Sequence, residues 1–201
     1  MTYEDLVEKI ETIVENYKAE PIDGWITGHG PIPCKLMFLG EAPGKTEVKE
    51  QKAFVGVAGK TLEKYLNSIG LNRENIRISN ACYFRPIKIN KGKNGKETIS
   101  NRTPKASEIE LFRDLLDREI SLVNPSLIVT LGNIPLQRLT TFKRIGSCHG
   151  ILYFNEDLGR YIFPMYHPSA LIYNRREGFL KIYEEDWQKL KEALTKTKAW
   201  P

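Results

Sequence analysis

Residues 35–59 read KLMFLGEAPGKTEVKEQKAFVGVAG, and the order of chemistry along that stretch decides the fold. Leu36–Leu39 is an apolar run of strand length, too short for a core helix. It turns polar at Gly40-Glu41-Ala42-Pro43-Gly44, where two glycines and a proline dictate a tight loop with exposed backbone. A second glycine-rich patch, Phe54-Val55-Gly56-Val57-Ala58-Gly59, leads into a helical pattern over 60–69. Strand, sharp loop, then helix is where an open α/β sheet places a ligand, at the carboxyl ends of its strands. Glu41, Glu47 and Glu50 lie between the two glycine patches, and a carboxylate in such a loop is a candidate for orienting or activating water. Gly44-Lys45-Thr46 looks like the end of a phosphate loop, but only three residues separate Gly40 from Gly44 where that motif has four. Charged Glu47, Lys49 and Glu50 also follow, where a phosphate-loop lysine opens an apolar helix.

Upstream, Leu6, Ile10, Ile13, Val14 and Tyr17 fall at helical spacing and predict an amphipathic helix over 3–18. Residues 19–34, rich in proline and glycine, read as a loop; His29 in it reads as a solvated residue without metal-ligand spacing. Downstream, Leu62, Tyr65, Leu66 and Ile69 form one helical face that stops at Gly70. Asn75–Phe84 reads as a second strand, with the amide of Asn80 at a position where an apolar residue is expected. Residues 87–101 have little to bury and read as a surface loop or hairpin, in which Lys88, Lys91, Lys93 and Lys96 form a basic arm that could lie along phosphates or be only solvated. A helix from Thr103-Pro104 to Asn124-Pro125, a buried strand over Ser126–Leu131, a short helix at Pro135–Leu139 and two β-rich runs, ILYF and YIFPMY, follow. His167, directly before Pro168, is biased to extended backbone and so to a strand end, on the same rim as the GEAPG loop if the sheet is parallel. An amphipathic helix over 175–196 closes the chain. The alternation predicts one domain over 1–201: a doubly wound three-layer αβα sandwich around a mostly parallel four-stranded sheet, with 1–34 as N-terminal helix and loop and 87–101 as a basic insertion.

Composition sets the outer limits. Hydrophobic content of 41% and charged content of 27% are ordinary for a globular protein, and no apolar run approaches the ~20 residues of a membrane span. The acidic N-terminus lacks the apolar core of a signal peptide, so the expectation is an intracellular protein with no membrane partner. A net charge of +5 makes a polyanion a plausible partner. Cys34, Cys82 and Cys148 are too few and too scattered for a disulfide framework or a cysteine-based metal site; a nucleophilic cysteine beside His149 or His167 is the less favoured alternative to buried thiols.

GEAPG, a glutamate three residues on, and A-F-V-G-x-A-G together resemble the first motif of the thermophile-type (family-four) uracil-DNA glycosylases, with Gln51 and Ala53 as departures. The likeness continues in order: ISNACYFRP resembles that family's asparagine strand, Asn101-Arg102-Thr103-Pro104 its helix entry, Asn124-Pro125 through Gly132 its next strand, and Tyr166-His167-Pro168-Ser169 its closing motif. The resemblance implies hydrolysis of the N-glycosidic bond of deoxyuridine in DNA, by base flipping and without lyase activity, in a monomer acting on uracil-containing DNA. It implies that Asn80 reads the uracil edge, Phe54 stacks on the base, and His167 donates to O2 as charge develops. Gly40, Ala42, Pro43, Gly44 and Ser169 complete the pocket, and Arg102 joins the lysines on DNA. Ala42 stands where better-known relatives carry a catalytic aspartate, so Glu41 is the first choice for orienting water and Glu47 the second; the alternative for Glu47 is to wall off C5. The competing functional readings are a DNA-binding relative that recognises damage without excising it, and a nucleotide hydrolase.

That family usually carries a [4Fe–4S] cluster on four cysteines. Here no C-x-x-C precedes the first strand, Phe84 stands before Arg85-Pro86, and Phe112 stands at the matching helix position. Cluster ligation needs thiolates, so the expectation is no metal and no cofactor, with the two rings filling the space.

Overall fold

The computed structural model describes residues 1–92, 94–174 and 176–201; Lys93 of the basic arm, and Arg175 at the start of the expected closing helix, lie outside the described residues. A five-stranded sheet forms the centre, in the order β3-β2-β6-β8-β7. β2 (Leu36–Gly40), β3 (Arg77–Asn80), β6 (Leu127–Leu131) and β8 (Arg160–Met165) run parallel. The expected four strands are therefore joined by a fifth, β7 (Tyr153–Asn155), which pairs antiparallel with β8 at one edge. The two runs ILYF and YIFPMY are consecutive in sequence with a turn between them, so they close as a hairpin and add an edge.

Both faces of the sheet are covered, as an apolar run without alternation requires. Leu36 and Phe38 of β2 point into a core with Leu127, Val129 and Phe163, roofed by α3 (Val57–Ser68) and α8 (Phe179–Lys196). Trp187 of α8 is fully buried there, stacked 5.7 Å from the Tyr65 ring of α3. Met37 and Leu39 point the other way, onto Leu116, Ile120 and Val123 of α5 (Arg113–Val123) and Leu139 of α6 (Asn133–Leu139). Period-two alternation in one five-residue strand thus feeds two separate cores.

A second, three-stranded sheet lies beside this frame. β4 (Phe84–Lys91) pairs antiparallel with β1 (Ile22–Trp25) on one side and β5 (Glu97–Asn101) on the other. This corrects two expectations. The stretch 19–34 is not all loop, since it holds β1, and Asn75–Phe84 is not one strand. β3 ends at Asn80, where the N–H groups of Ala81 and Cys82 donate to the carbonyls of Gly40 and Glu41 at 2.9 and 3.0 Å, and the chain then leaves for the second sheet. Its apolar character persists through the crossing because Cys82, Tyr83 and Phe84 enter a third core with Leu6 and Ile10 of α1 (Tyr3–Asn16). α1 opens on a capping box, with Thr2 accepting from the Asp5 N–H and Asp5 accepting from the Thr2 N–H. The segment after Pro104 breaks at Phe112 into α4 (Ala106–Leu111) and α5. The two short helices α2 (Lys45–Glu50) and α7 (Ala170–Tyr173) border the carboxyl rim of the central sheet, and α8 begins at Phe179. Among the described residues no helix is long and apolar enough to cross a membrane.

A carboxylate network ties the frame to the rim. Glu119 of α5, wholly buried, accepts from Arg77 Nε and Nη2 at 3.0 and 2.6 Å through one oxygen and from the Ser79 and Tyr83 hydroxyls at 2.7 Å through the other. A buried charge so fully bonded holds β3 in place. Asn80 is the next residue.

Candidate active site

The carboxyl ends of β2, β3 and β8 converge on a two-lobed cleft. Ala42, Pro43, Asn101, His167 and Ser169 line both lobes. The smaller lobe, about 370 Å³, adds Gly44, Glu47, Phe54 and Asn80; the larger adds Glu41, Arg102, Thr103, Gly132 and Tyr166. The residues expected in the pocket from the GEAPG loop, the glycine patch, the asparagine strand and the Y-H-P turn therefore meet in one place.

Gly40 shows how closely they meet. A β-carbon on it would lie 2.6 Å from Asn80 Oδ1 and 2.7 Å from two ring atoms of Phe54. Only glycine lets an amide edge and an aromatic face share that space. Asn80 is 4% exposed, and among the described residues no protein group hydrogen-bonds its side-chain amide. Its donor and acceptor are thus both available to a ligand.

Phe54 sits in the left-handed region, φ 52°, which non-glycine residues seldom occupy. Arg73 holds it there: the guanidinium donates to the Phe54 carbonyl at 2.7 Å and also to the Ala53 carbonyl. Gly59 packs beneath, where a β-carbon would collide with the Phe54 carbonyl oxygen at 1.8 Å. The turn after Phe54 then offers the Val55 and Gly56 N–H groups, which donate to Glu47 Oε1 at 3.0 and 2.7 Å at the start of α3. This pins one oxygen of Glu47 and leaves Oε2 towards Gly44, whose β-carbon would meet it at 2.7 Å.

His167 lies against Phe54, with ring centroids 5.6 Å apart. Its Nδ1 accepts from the Ser169 N–H at 3.2 Å and lies 2.7 Å from Ser169 Oγ. An accepting Nδ1 leaves the proton on Nε2. Burial, opposed in part by Glu47, pushes the imidazole pKa down to about 4, so the ring is neutral at physiological pH. Glu41 shifts the other way: burial raises its pKa, partly offset by a hydrogen bond with the Thr103 side chain. The smaller lobe therefore holds an aromatic wall, an unspent amide and a neutral N–H donor. The adjoining lobe holds a carboxyl group.

Asn101 was expected only as part of a helix entry, yet it lines both lobes. Its Oδ1 accepts from Arg85 Nε at 2.7 Å, which turns Nδ2 towards Gly44. Arg85 in turn pairs with Asp23 of β1. No sequence spacing signals this chain, because its members come from three strands. Arg102, expected on DNA, spends its guanidinium on Glu108 in two bonds of 2.6 Å. Burial alone would raise the Glu108 pKa, but Arg102, the Tyr17 hydroxyl and the Lys105 N–H outweigh it and hold it down to about 2. Lys88, Lys91 and Lys96 belong to the β4–β5 hairpin and line neither lobe. Lys45 is exposed at the rim of the smaller lobe. The thiols are buried; burial raises the Cys148 pKa, and His149 bonds Asp186 at 2.7 Å instead, so the cysteine-nucleophile alternative finds no activated sulfur here.

A cleft with these polar and aromatic groups, at the carboxyl rim of a doubly wound sheet, is where an open α/β protein takes its ligand. The chain belongs to the uracil DNA glycosylase superfamily, whose family model matches residues 27–191. The type-4 uracil-DNA glycosylase of Saccharolobus solfataricus is 38% identical over 180 residues, covering 85% of this chain and 76% of that protein. The type-4 enzyme of Archaeoglobus fulgidus is 33% identical over 179 residues, 86% and 83% of the two chains. That of Thermotoga maritima is 30% identical over 203 residues, 97% and 98%.

The four-thiolate cluster implied by the resemblance does not fit the residues present. Phe84 and Phe112 meet edge to face with centroids 5.3 Å apart, and Tyr83 and Tyr17 close on them at 5.2 and 4.9 Å. Cys82 shares that core, but Cys34 lies in another, within 3.1 Å of the Leu36 carbonyl, and Cys148 in a third. Among the described residues no group of three or more His, Cys, Asp or Glu side chains could hold a metal ion.

Proposed function

We propose that this protein is a uracil-DNA glycosylase that draws a deoxyuridine out of DNA and hydrolyses its N-glycosidic bond. Free uracil and an abasic site are the products. The observation that carries the reading is the unspent amide of Asn80 held against the Phe54 ring across Gly40. An amide can accept from uracil N3–H and donate to O4, while the ring stacks on the flipped base. The neutral His167 Nε2–H is suited to receive charge growing on uracil O2 as the bond breaks. Glu41, with Glu47 as the alternative, orients the attacking water, and Asn101 Nδ2 is a third polar group within the same cleft. The pinned Oε1 of Glu47 favours a wall against C5 for that residue and leaves the water to Glu41. Gly40, Ala42, Pro43, Gly44 and Ser169 shape the pocket.

The whole chain acts as one domain and as a monomer on DNA, with Lys88, Lys91, Lys93 and Lys96 along the phosphates. No metal or cofactor takes part. The type-4 uracil-DNA glycosylase names of the relatives support the glycosylase activity itself. Release of uracil from single- and double-stranded oligonucleotides tests that activity. Binding of uracil-containing DNA without release would favour a damage-recognising relative instead. Borohydride should trap no covalent adduct, as expected of a hydrolase without lyase chemistry.

A further inference from the structure

From Lys88 outward the β4–β5 hairpin projects from the body, and every residue of β5 is exposed. Its register pairs Ile87 with Asn101, Ile89 with Ile99, and Lys91 with Glu97. Paired residues share a face, and alternate pairs share the same face. Ile89 and Ile99 therefore stand on the side of the hairpin that carries Asn101, the residue lining both lobes of the cleft. Two residue steps along the strand lead from Ile99 to Asn101, about 7 Å. These isoleucines are 44% and 58% exposed, an apolar pair left in solvent in an otherwise polar hairpin.

We infer that the Ile89–Ile99 pair covers the base next to the extruded nucleotide on the substrate strand. Extruding a base strips its neighbour of a stacking partner and leaves an apolar face beside the mouth of the pocket. The pair lies on the strand face that continues from the pocket wall, so that base is the apolar surface it can reach. Charge favours nucleic acid over a protein partner as the occupant. Lys91, on the isoleucine face, lies 3.6 Å from Glu97 in a largely exposed pair. Lys88 and Lys96 add positive charge to the same hairpin, so its net charge is positive and phosphates and a base can be met together. This inference rests on the reading of the cleft as a pocket for a flipped base. It adds a second contact that senses the neighbour.

The test uses the full chain and the double variant Ile89→Thr/Ile99→Thr, which keeps β-branched residues in both strands and so preserves the hairpin. Binding is measured by fluorescence anisotropy on single strands carrying 2′-fluoro-deoxyuridine, whose glycosidic bond resists cleavage. One strand flanks it with thymines, the other with abasic tetrahydrofuran residues. The parent should bind the thymine-flanked strand about tenfold more tightly, within the range of one base–side-chain stacking contact. The variant should lose most of that preference while binding the abasic-flanked strand within about twofold of the parent. Ile89→Val/Ile99→Val should retain the preference. Equal weakening on both strands, an unchanged preference, or a parent with no preference would each overturn the inference. Failure of the parent to release uracil from a cleavable strand would instead count against the proposed function, and the binding comparison would still decide the role of the pair.

Discussion

Replacing Phe112 by alanine tests whether the place of the expected cluster is a true apolar core. The ring is wholly buried at the break between α4 and α5 and makes two edge-to-face pairs, with Tyr83 at 5.2 Å and Phe84 at 5.3 Å. Truncating a buried phenylalanine costs about 3–5 kcal/mol, of which two such aromatic pairs account for roughly 1–3. At about 2–4 °C per kcal/mol for a chain of this size, the melting temperature should fall by roughly 6–20 °C. Urea unfolding of parent and variant, with an unchanged slope, gives the free-energy difference directly. Uracil release measured well below the melting temperature should stay within a few-fold of the parent, since Phe112 lines neither lobe. In the same preparations, purified without oxygen, iron and sulfide should be absent and the protein colourless. A stability loss under about 1 kcal/mol, or a brown parent with stoichiometric iron, would refute the argument.

Asn80→Asp should relax discrimination between uracil and cytosine in oligonucleotide assays, because a carboxylate offers acceptors to the cytosine amino group where uracil offers O4; unchanged selectivity would remove Asn80 from the pocket. His167→Ala should slow single-turnover release by ~10²–10³ with DNA affinity nearly intact, as loss of one donor to a developing oxyanion does. The folded-state pKa of His167 is depressed to about 4 from 6.5, so folding disfavours its proton. Its contribution to stability is complete above pH 6.5 and declines as pH falls towards 4. The rate should therefore show no inflection at 6.5 attributable to this ring, and one that His167→Gln abolishes would contradict the neutral donor. Neutralising Lys88, Lys91, Lys93 and Lys96 together should flatten the salt dependence of binding to duplex DNA by about 0.9 in log K per lost phosphate contact. An unaltered slope would leave the hairpin without a phosphate role.

Much of the frame is legible in the chain because apolar runs of strand length alternate with helical periodicity. β2, β6, α3 and the closing helix follow directly. Elsewhere, burial does not imply one continuous strand, and a proline- and glycine-rich segment does not exclude one. Apolar residues recur along Asn75–Phe84 because Ile76 and Ile78 serve one core and Cys82 to Phe84 another, with a change of sheet between them. β1 hides in a proline- and glycine-rich segment because a short strand needs only four residues and the backbone of β4 beside it. Within the site, Gly40, Phe54, Asn80 and His167 could be named from motifs. Asn101 and the true engagement of Arg102 could not. The first depends on Arg85 and the second on Glu108, and each partner is fixed only once the chain has folded.

The clamp of Arg73 on the carbonyls of Ala53 and Phe54 has a consequence for the thermodynamics of base capture. A free aromatic side chain on a mobile turn would lose rotamer freedom on stacking, at about 0.5–1.5 kcal/mol. Here the turn is fixed in a sparsely populated backbone conformation before any nucleotide arrives, so that entropy is already lost in folding. Capture then orders the nucleotide far more than the wall that receives it. Loosening the guanidinium contact would shift the loss to the binding step and would register as weaker capture in a pocket whose chemical groups are all still present.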